Sequence, residues 1–270
     1  MPQQPSENDR PTSLACEDAL DLDRLAQSAE LARVEYHPTL GSTQLRAHEL
    51  ARAANCGPLP LLIVADQQTA GRGRGSNRWW TGLGSLAFSL LLDPADWQLP
   101  REPQPGRSLA VGAAIVETVR PLVAAHPVGL HWPNDVYAGG KKLAGVLIDV
   151  LQGGRHVVGV GLNVNNSLAA APDDVRARAT SLVELAGRPF DRTEVLAALI
   201  TNLAKALRGL SADAAFGRRF HEMALQTGQQ LSVNVGGVRT TGRCLGIDPD
   251  GALLLETASG PQRFYSGTLH

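Results

Sequence analysis

Leu61-Leu-Ile-Val-Ala65, then Gln67-Gln-Thr-Ala-Gly-Arg-Gly-Arg-Gly-Ser-Asn-Arg-Trp-Trp80, then Leu86-Ala-Phe-Ser-Leu-Leu-Leu92 form one continuous argument about the fold. A short apolar run reads as a buried strand. The segment over 67–84 that follows is polar and rich in Gly and Arg, and the 67–80 part holds no acid. Leu86, Phe88, Leu90 and Leu92 then recur with period 2, the mark of a second strand with one apolar face. Gly71, Gly73 and Gly75 let backbone N–H groups come close to a ligand. Arg72, Arg74 and Arg78 offer forked donors for phosphate or carboxylate, and Trp79 or Trp80 a face for stacking. A solvated basic loop, or a Gly-Arg segment that binds RNA, has the same composition. The position directly after a buried strand favours a loop lying over a sheet end. No helix-like segment follows, so this is not the dinucleotide-binding fingerprint.

Outward from this centre, Leu20, Leu22, Leu25 and Ala29 predict a short helix near 17–32, after a polar, Pro-rich tail over 1–13. A second helix is expected from Thr43 to Ala54, capped by Ser42 or Thr43, with Leu45, Leu50, Ala51 and Ala54 toward the core. Residues 93–106 carry four prolines and read as a connection. Leu109 to Val123 reads as a helix ended by Pro127. Residues 142–150 and 156–164 read as a hairpin around Gly153-Gly154. Asp191-Arg-Thr-Glu194 has capping-box spacing and opens a helix with Leu196, Leu199, Ile200, Leu203 and Leu207 on one stripe. Another helix is expected over 211–225. After Gly228, short β-like runs (231–235, 238–247, 252–256 and 263–266) alternate with Gly-containing turns, which predicts a small all-β module packed on the main domain.

The chain has 270 residues, 43% hydrophobic and 19% charged, which suits one large domain or two modest ones and excludes disorder of the whole. Seven acids against two arginines make the first 30 residues acidic, while the net charge is −1. Nucleic acid is therefore not an expected partner. Cys16, Cys56 and Cys244 have no C-x-x-C spacing, so neither a disulfide framework nor a zinc site is expected, which points to a reducing cytoplasm. No apolar stretch is long enough to span a membrane, and the N-terminus is not signal-like.

Four further motifs carry chemistry. His131-Trp-Pro-Asn-Asp135 reads as a turn presenting Asn134 and Asp135; Asp135 suits Mg²⁺, which takes one carboxylate together with ligand phosphates. Lys141-Lys-Leu-Ala-Gly-Val-Leu147 opens a strand with two of the chain's three lysines, and Gly145 within it marks a close approach. Asn163, in Gly161-Leu-Asn163, sets an amide among apolar residues, as a structural hydrogen bond or a ligand contact. Ser42-Thr43-Gln44 is a helix cap unless its hydroxyls face a ligand.

Taken in order, these motifs resemble the biotin–protein ligase family over roughly residues 34–270. The resemblance implies an α+β fold: a mixed-sheet, class II synthetase-like catalytic domain over 34–227, then a small SH3-like β-barrel over 228–270, preceded by a tail and short helix over 1–33. It implies ATP-dependent formation of biotinyl-5′-AMP and transfer of biotin to a lysine of a biotin carboxyl carrier domain. Biotin would meet Ser42, Thr43, Gln44, Gln68, Gly71, Arg72, Gly73, Arg74, Lys142 and Gly145. ATP would meet Arg74, Arg78, Trp79, His131, Asn134, Asp135, Lys142 and Asn163, with Mg²⁺ on Asp135. Lys142, Arg72, Arg74 and Asp135 would carry the chemistry, because the first step brings two anions together. The resemblance also admits a homodimer joined through a sheet edge. Three positions depart from the pattern: Gln44 stands for the usual Asn, Ser76-Asn77 for Gly-Arg, and His131 for Lys. Some relatives carry an N-terminal DNA-binding helix-turn-helix. The acidic segment before residue 34 is too short for one, so a monofunctional ligase is expected. The alternatives are a lipoate or octanoyl acyltransferase of the same catalytic fold, and a nucleic-acid-binding protein that uses the Arg/Trp loop.

Overall fold

The computed structural model describes residues 18–28, 30–53, 55–102, 104–212 and 216–269; the expected tail over 1–13, Cys16, Ala29 and Ala54 lie outside them. Seven strands form the main sheet: β1 Arg33–Leu40, β2 Leu61–Gln68, β3 Leu86–Leu92, β4 Val128–His131, β5 Asp135–Ala138, β6 Lys141–Val150 and β7 His156–Leu162. Their order is β1-β2-β3-β7-β6-β5-β4, with β1 and β2 parallel and every other pair antiparallel. β3 and β7 sit at the centre, buried along their whole length, which is why neither tolerates an acid or a lysine. The period-2 face of β3 enters the main core through Leu86, Phe88, Leu90 and Leu92, while Leu91 on the other face enters a smaller cluster. The hairpin between β6 and β7 turns through Gly153 (φ 92°) and Gly154 (φ 83°), a backbone that only glycine adopts readily.

Seven α-helices are described: α1 Leu22–Ala26, α2 Thr43–Arg52, α3 Arg107–Val119, α4 Asp173–Arg178, α5 Leu182–Ala186, α6 Arg192–Ala212 and α7 Arg218–Met223. α3 and α6 supply the main core on one side of the sheet; Ala110, Ala113 and Ala114 face the large side chains of the α6 stripe, which is buried as expected. α2 covers the opposite side, where Ala47 packs on Leu61, Ile63, Leu91 and Val157. The C-terminal module is an antiparallel five-stranded sheet: β8 Gln230–Val235, β9 Val238–Ile247, β10 Leu253–Thr257, β11 Gly260–Phe264 and β12 Thr268–Leu269, ordered β11-β10-β9-β8-β12. Its Val233, Ile247, Leu253 and Leu255 share the main core. Buried Trp132 donates from Nε1 to the Gly251 carbonyl at 3.1 Å and so ties the turn after β4 to this module.

Several expectations are corrected. The helix near 17–32 is only α1, because Ala32 already donates to the Pro60 carbonyl at 2.9 Å and draws the chain into β1. β1, β4 and β5 had no sequence signal. Pro38 interrupts the ladder of β1, whose residues are half-buried or exposed, and β4 and β5 have four residues each. Leu45 is exposed; the inward stripe of α2 is Thr43, Gln44 and Ala47, with Leu50 and Ala51 beside it. α3 stops at Val119 and passes into a 3₁₀ turn over Arg120–Val123, because Pro121 has no N–H to continue the ladder. The helix expected over 211–225 is divided between the end of α6 and the short α7. Only half of the capping box is made: Glu194 N donates to Asp191 Oδ1 at 3.0 Å.

Candidate active site

A cleft of about 820 Å³ opens on the α2 side of the sheet, a volume suited to a ligand of drug or nucleotide size. Its floor is polar but neutral. Ser42 occupies the N-cap position of α2 without making the cap bond, and its Oγ is buried with no partner. Gln68 satisfies the helix end instead: its Oε1 accepts from Thr43 N at 2.8 Å and faces Thr43 Oγ1 at 3.2 Å, while its Nε2 donates to Thr81 Oγ1 at 3.3 Å. Ser89 Oγ, fully buried on β3, lies 2.9 Å from Thr43 Oγ1 and 3.0 Å from Gln44 Oε1.

Beside the floor lies a bed of glycines. Gly145 on β6 pairs with Gly161 on β7, and the Trp79 ring rests on both. A Cβ on Gly161 would come within 2.2 Å of that ring, and one on Gly145 within 3.2 Å. Trp79 Nε1 is buried and has no partner. Over the same ring, at 5.7 Å from its centroid, stands Lys142 Nζ, which donates to Asp135 Oδ2 at 2.7 Å. Asp135 Oδ1 is buried and unpartnered. Lys141, one residue away on the strand, is exposed to solvent.

The rim carries the arginines. The 71–79 loop folds as a small hairpin, in which Arg72 bridges Arg78, Gly73 N donates to Asn77 O at 2.8 Å and Trp79 N to Gly71 O at 3.0 Å. Gly71 must be glycine, since a Cβ would meet the Trp79 carbonyl at 2.4 Å. Arg72 and Arg78 are exposed at the mouth, whereas Arg74 Nη2 donates to the Gly267 carbonyl and so joins the loop to the C-terminal module. Thr268 and Leu269 of that module line the cleft. His131 stacks on Tyr137, with centroids 4.2 Å apart. Burial pushes the His131 imidazole below its ordinary range, against the opposing pull of Asp135. Burial also raises the Tyr137 hydroxyl, and Asp135 adds to it.

Every residue expected to meet biotin or ATP borders this cleft. Besides Gln68, three of them spend their side-chain amides within the protein. Asn134 Nδ2 donates to the Val146 carbonyl at 2.8 Å. Asn163 Nδ2 donates to the Thr180 carbonyl at 2.9 Å, and its Oδ1 accepts from Asn166 at 3.1 Å. Gln44 Nε2 donates to Asp149 Oδ2 at 2.9 Å. Asn134 and Asn163 thus hold the cleft's walls.

Residues 52–165 match the Biotin/lipoate A/B protein ligase family, and residues 228–268 match the Biotin protein ligase C terminal domain. The Bifunctional ligase/repressor BirA of Bacillus subtilis (strain 168) is 34% identical over 241 residues, covering 87% of this chain and 72% of that protein. The chain belongs to the biotin/lipoate A/B protein ligase family. Another relative, the Biotin--[acetyl-CoA-carboxylase] ligase of Mycobacterium tuberculosis, is 36% identical over 221 residues, covering 80% of each chain. The biotin protein ligase from Aquifex aeolicus, solved in complex with biotin and ATP, superposes with a TM-score of 0.76 at 29% identity, over 88% of this chain and 97% of that one.

Within this ligase-family cleft, the sequence had not pointed to Ser89, Thr81, Gly159, Tyr137 or Arg178 as lining residues. Gly159 and Gly161 left a signal: glycine at alternate positions of a strand clears one face of it for a ligand. Ser89 left only a single polar residue inside an apolar strand. Arg178 lies on α4, a six-residue helix with no buried residue and so no apolar stripe to announce it.

Proposed function

We propose that the chain is an ATP-dependent biotin–protein ligase. The carboxylate of biotin attacks the α-phosphorus of ATP, the bond to the β-phosphate oxygen breaks, and pyrophosphate leaves. The ε-amine of a lysine on a biotin carboxyl carrier domain then attacks the mixed anhydride, forming an amide and releasing AMP. The observation that carries this is the position of Lys142: its ammonium stands over Trp79, where the neutral hydroxyl floor meets the arginine rim. An uncharged polar ring sits over the floor, anionic groups converge beyond it, and the cation lies at the junction.

Each part has a physical task. Ser42 Oγ and Thr43 Oγ1 hydrogen-bond a ring with N–H and C=O groups, such as the ureido ring of biotin. A dithiolane ring, with neither, would leave Ser42 Oγ unsatisfied, which disfavours a lipoate or octanoyl acyltransferase. Lys142 offsets repulsion between carboxylate and phosphate, and Asp135 fixes its ammonium. Arg72 and Arg78, exposed at the mouth, meet the phosphates as they arrive. They border a cleft, and the chain's net charge is −1, which disfavours a nucleic-acid-binding protein.

Mg²⁺ fits one observation: the buried, orphaned Asp135 Oδ1 is a single carboxylate oxygen beside the phosphate end, the protein share that this ion usually takes. Among the described residues there is no cluster of three acidic, His or Cys side chains that would hold a metal without the nucleotide. When bound, the ion would supply charge neutralisation at the phosphates.

The same reading divides the chain into a catalytic domain over 34–227 and a barrel-like domain over 228–270, and assigns the protein to the cytoplasm. Among the described residues no helix is long and apolar enough to cross a membrane. The test is transfer of labelled biotin, with ATP and Mg²⁺, to a purified carrier domain. Label on the acceptor lysine supports the proposal; ATP-dependent label from lipoate but not from biotin overturns it.

A further inference from the structure

The loop that carries the rim arginines has a support with no part in the scheme above. Pairing between β2 and β3 ends at Ala65 and Ala87. Beyond that rung the two strands part and become the feet of the 69–84 segment, which carries Arg72, Arg74, Arg78 and Trp79. Arg192, the first residue of α6, closes the gap. Its Nη1 donates to Asp66 Oδ1 on the β2 foot at 3.0 Å and to the Ser85 carbonyl on the β3 foot at 3.0 Å. The Arg192 side chain is only 5% exposed, so solvent and salt screen this bridge little. Gln68 Nε2 to Thr81 Oγ1, at 3.3 Å, is a second and longer tie across the segment.

The bridge is itself held from two sides. Asp66 Oδ2 accepts from the Tyr36 hydroxyl on β1, which leaves Oδ1 for Arg192. Asp18, ahead of α1, accepts at Oδ1 from Arg192 Nε at 2.9 Å, and its carbonyl accepts from Nη2. The same Oδ1 accepts from Asn165 Nδ2 at 3.0 Å, and Asn165 N donates to the Gly84 carbonyl at 2.8 Å, beside the β3 foot. Gly84 has φ 88°, and a Cβ there would lie 2.9 Å from the Asn165 backbone, so the two segments meet only through glycine. The rigid guanidinium fork serves all these acceptors at once. A buried ion pair adds little net stability over an apolar replacement, so the geometry it fixes is the better account of its presence.

We infer that Arg192 is a positioning residue for adenylation: it staples the two feet of the 69–84 segment and so holds Trp79 and the rim arginines over the cleft, with Asp18 locking it in place. This rests on the assignment of the cleft to biotin and ATP. Arg192, Asp66, Ser85 and Asp18 do not line the cleft, so their influence on the reaction passes through the loop. A shift of about 1 Å in groups that must meet a reacting phosphate is enough to slow the step markedly.

The test pairs limited trypsin digestion with single-turnover adenylation, both on the full chain. Cleavage after Arg72, Arg74 or Arg78, mapped by mass, reports the loop; cleavage after Lys205, inside α6, reports unfolding. Arg192→Met should raise loop cleavage about tenfold relative to cleavage at Lys205, and slow adenylation at saturating biotin and ATP about tenfold, because displaced donors miss the phosphates. Biotin affinity should change by no more than about threefold, since the hydroxyl floor has bonds of its own. Asp66→Leu, which frees the β2 foot while Arg192 keeps Asp18 and Ser85, should act in the same way and guards against a methionine variant that fails to fold. Asp66→Asn, which keeps an oxygen acceptor for Arg192, should stay within about threefold of wild type in both readouts. Loop cleavage and adenylation at wild-type levels in folded Arg192→Met or Asp66→Leu, with only a lower melting temperature, would assign Arg192 to stability alone and overturn the inference. Failure of wild type to adenylate biotin removes the ligase reading, while the trypsin comparison still decides whether Arg192 holds the loop.

Discussion

At the floor of the cleft Ser42, Thr43, Gln44 and Ser89 are neutral and buried, and the side chains of the last three are bonded into fixed positions; at the rim Arg72 and Arg78 are charged and exposed. The floor was ordered when the protein folded, so it recognises shape and hydrogen-bond polarity without further loss of side-chain freedom. The rim keeps its charges hydrated until an anion arrives, so its contribution depends on the reacting phosphates. Binding of the uncharged ring and activation of the carboxylate are therefore separable by substitution.

The largest expected effect belongs to Lys142, where the two regions meet. Lys142→Ala should reduce biotin adenylation on the order of a hundredfold to a thousandfold, with the melting temperature changed by no more than a few degrees. Lys141→Ala, on the exposed side of the same strand, should stay within about twofold. Equal losses in single-turnover adenylation would dissolve the distinction between the two lysines.

Next comes the glycine bed. Gly161→Ala places a methyl group where the Trp79 ring lies, so the ring must move. Biotin and ATP affinity should both fall about tenfold, because Trp79 borders floor and rim alike. Loss of only one would show that the two regions do not share this wall. A smaller effect is expected at the tie between the domains. Trp132→Phe removes the hydrogen bond to Gly251 and should destabilise the protein by about 1 kcal/mol in denaturant titration. A variant as stable as wild type would mean that the C-terminal sheet holds without it.

The smallest effect is a pH dependence away from the cleft. His156 is buried against the Arg107 guanidinium, and burial first, then that charge, hold its imidazole below its ordinary value of 6.5. The unfolded chain takes up that proton more readily than the folded one, so stability is level above about pH 6.5 and falls as pH drops below it. His156→Gln keeps an acceptor for Arg107 without a titrating group, so its melting temperature should decline less between pH 6.5 and 5. Parallel declines would remove His156 as the cause.

Much of the fold was legible because its central strands are buried on both sides and so are written as unbroken apolar runs, as in Leu61–Ala65 and Leu86–Leu92. β1 was not: at the sheet edge its residues are half-buried or exposed, and Pro38 breaks their pattern. The site was legible where chemistry demands unusual residues, as in the arginines of 72–78, the paired Lys141-Lys142 and Asp135. It was not legible where an ordinary polar residue does the work from within a strand. Ser89 and Asp149 carry no motif, and only the folded chain shows that they support Thr43 and Gln44. Asn134 and Asn163 were ligand contacts only by the family resemblance; the motif of Asn163 also admitted a structural hydrogen bond, and the amide nitrogens of both donate to backbone carbonyls, of Val146 and Thr180.

The most direct measurement is exchange of labelled pyrophosphate into ATP by the purified full chain, with biotin, with lipoate and with neither. Exchange that requires biotin, is absent with lipoate, and disappears in Lys142→Ala is the predicted result. Exchange supported by lipoate but not by biotin, or unchanged by Lys142→Ala, would contradict the assignment of the hydroxyl floor to the biotin ring and of Lys142 to the junction with phosphate.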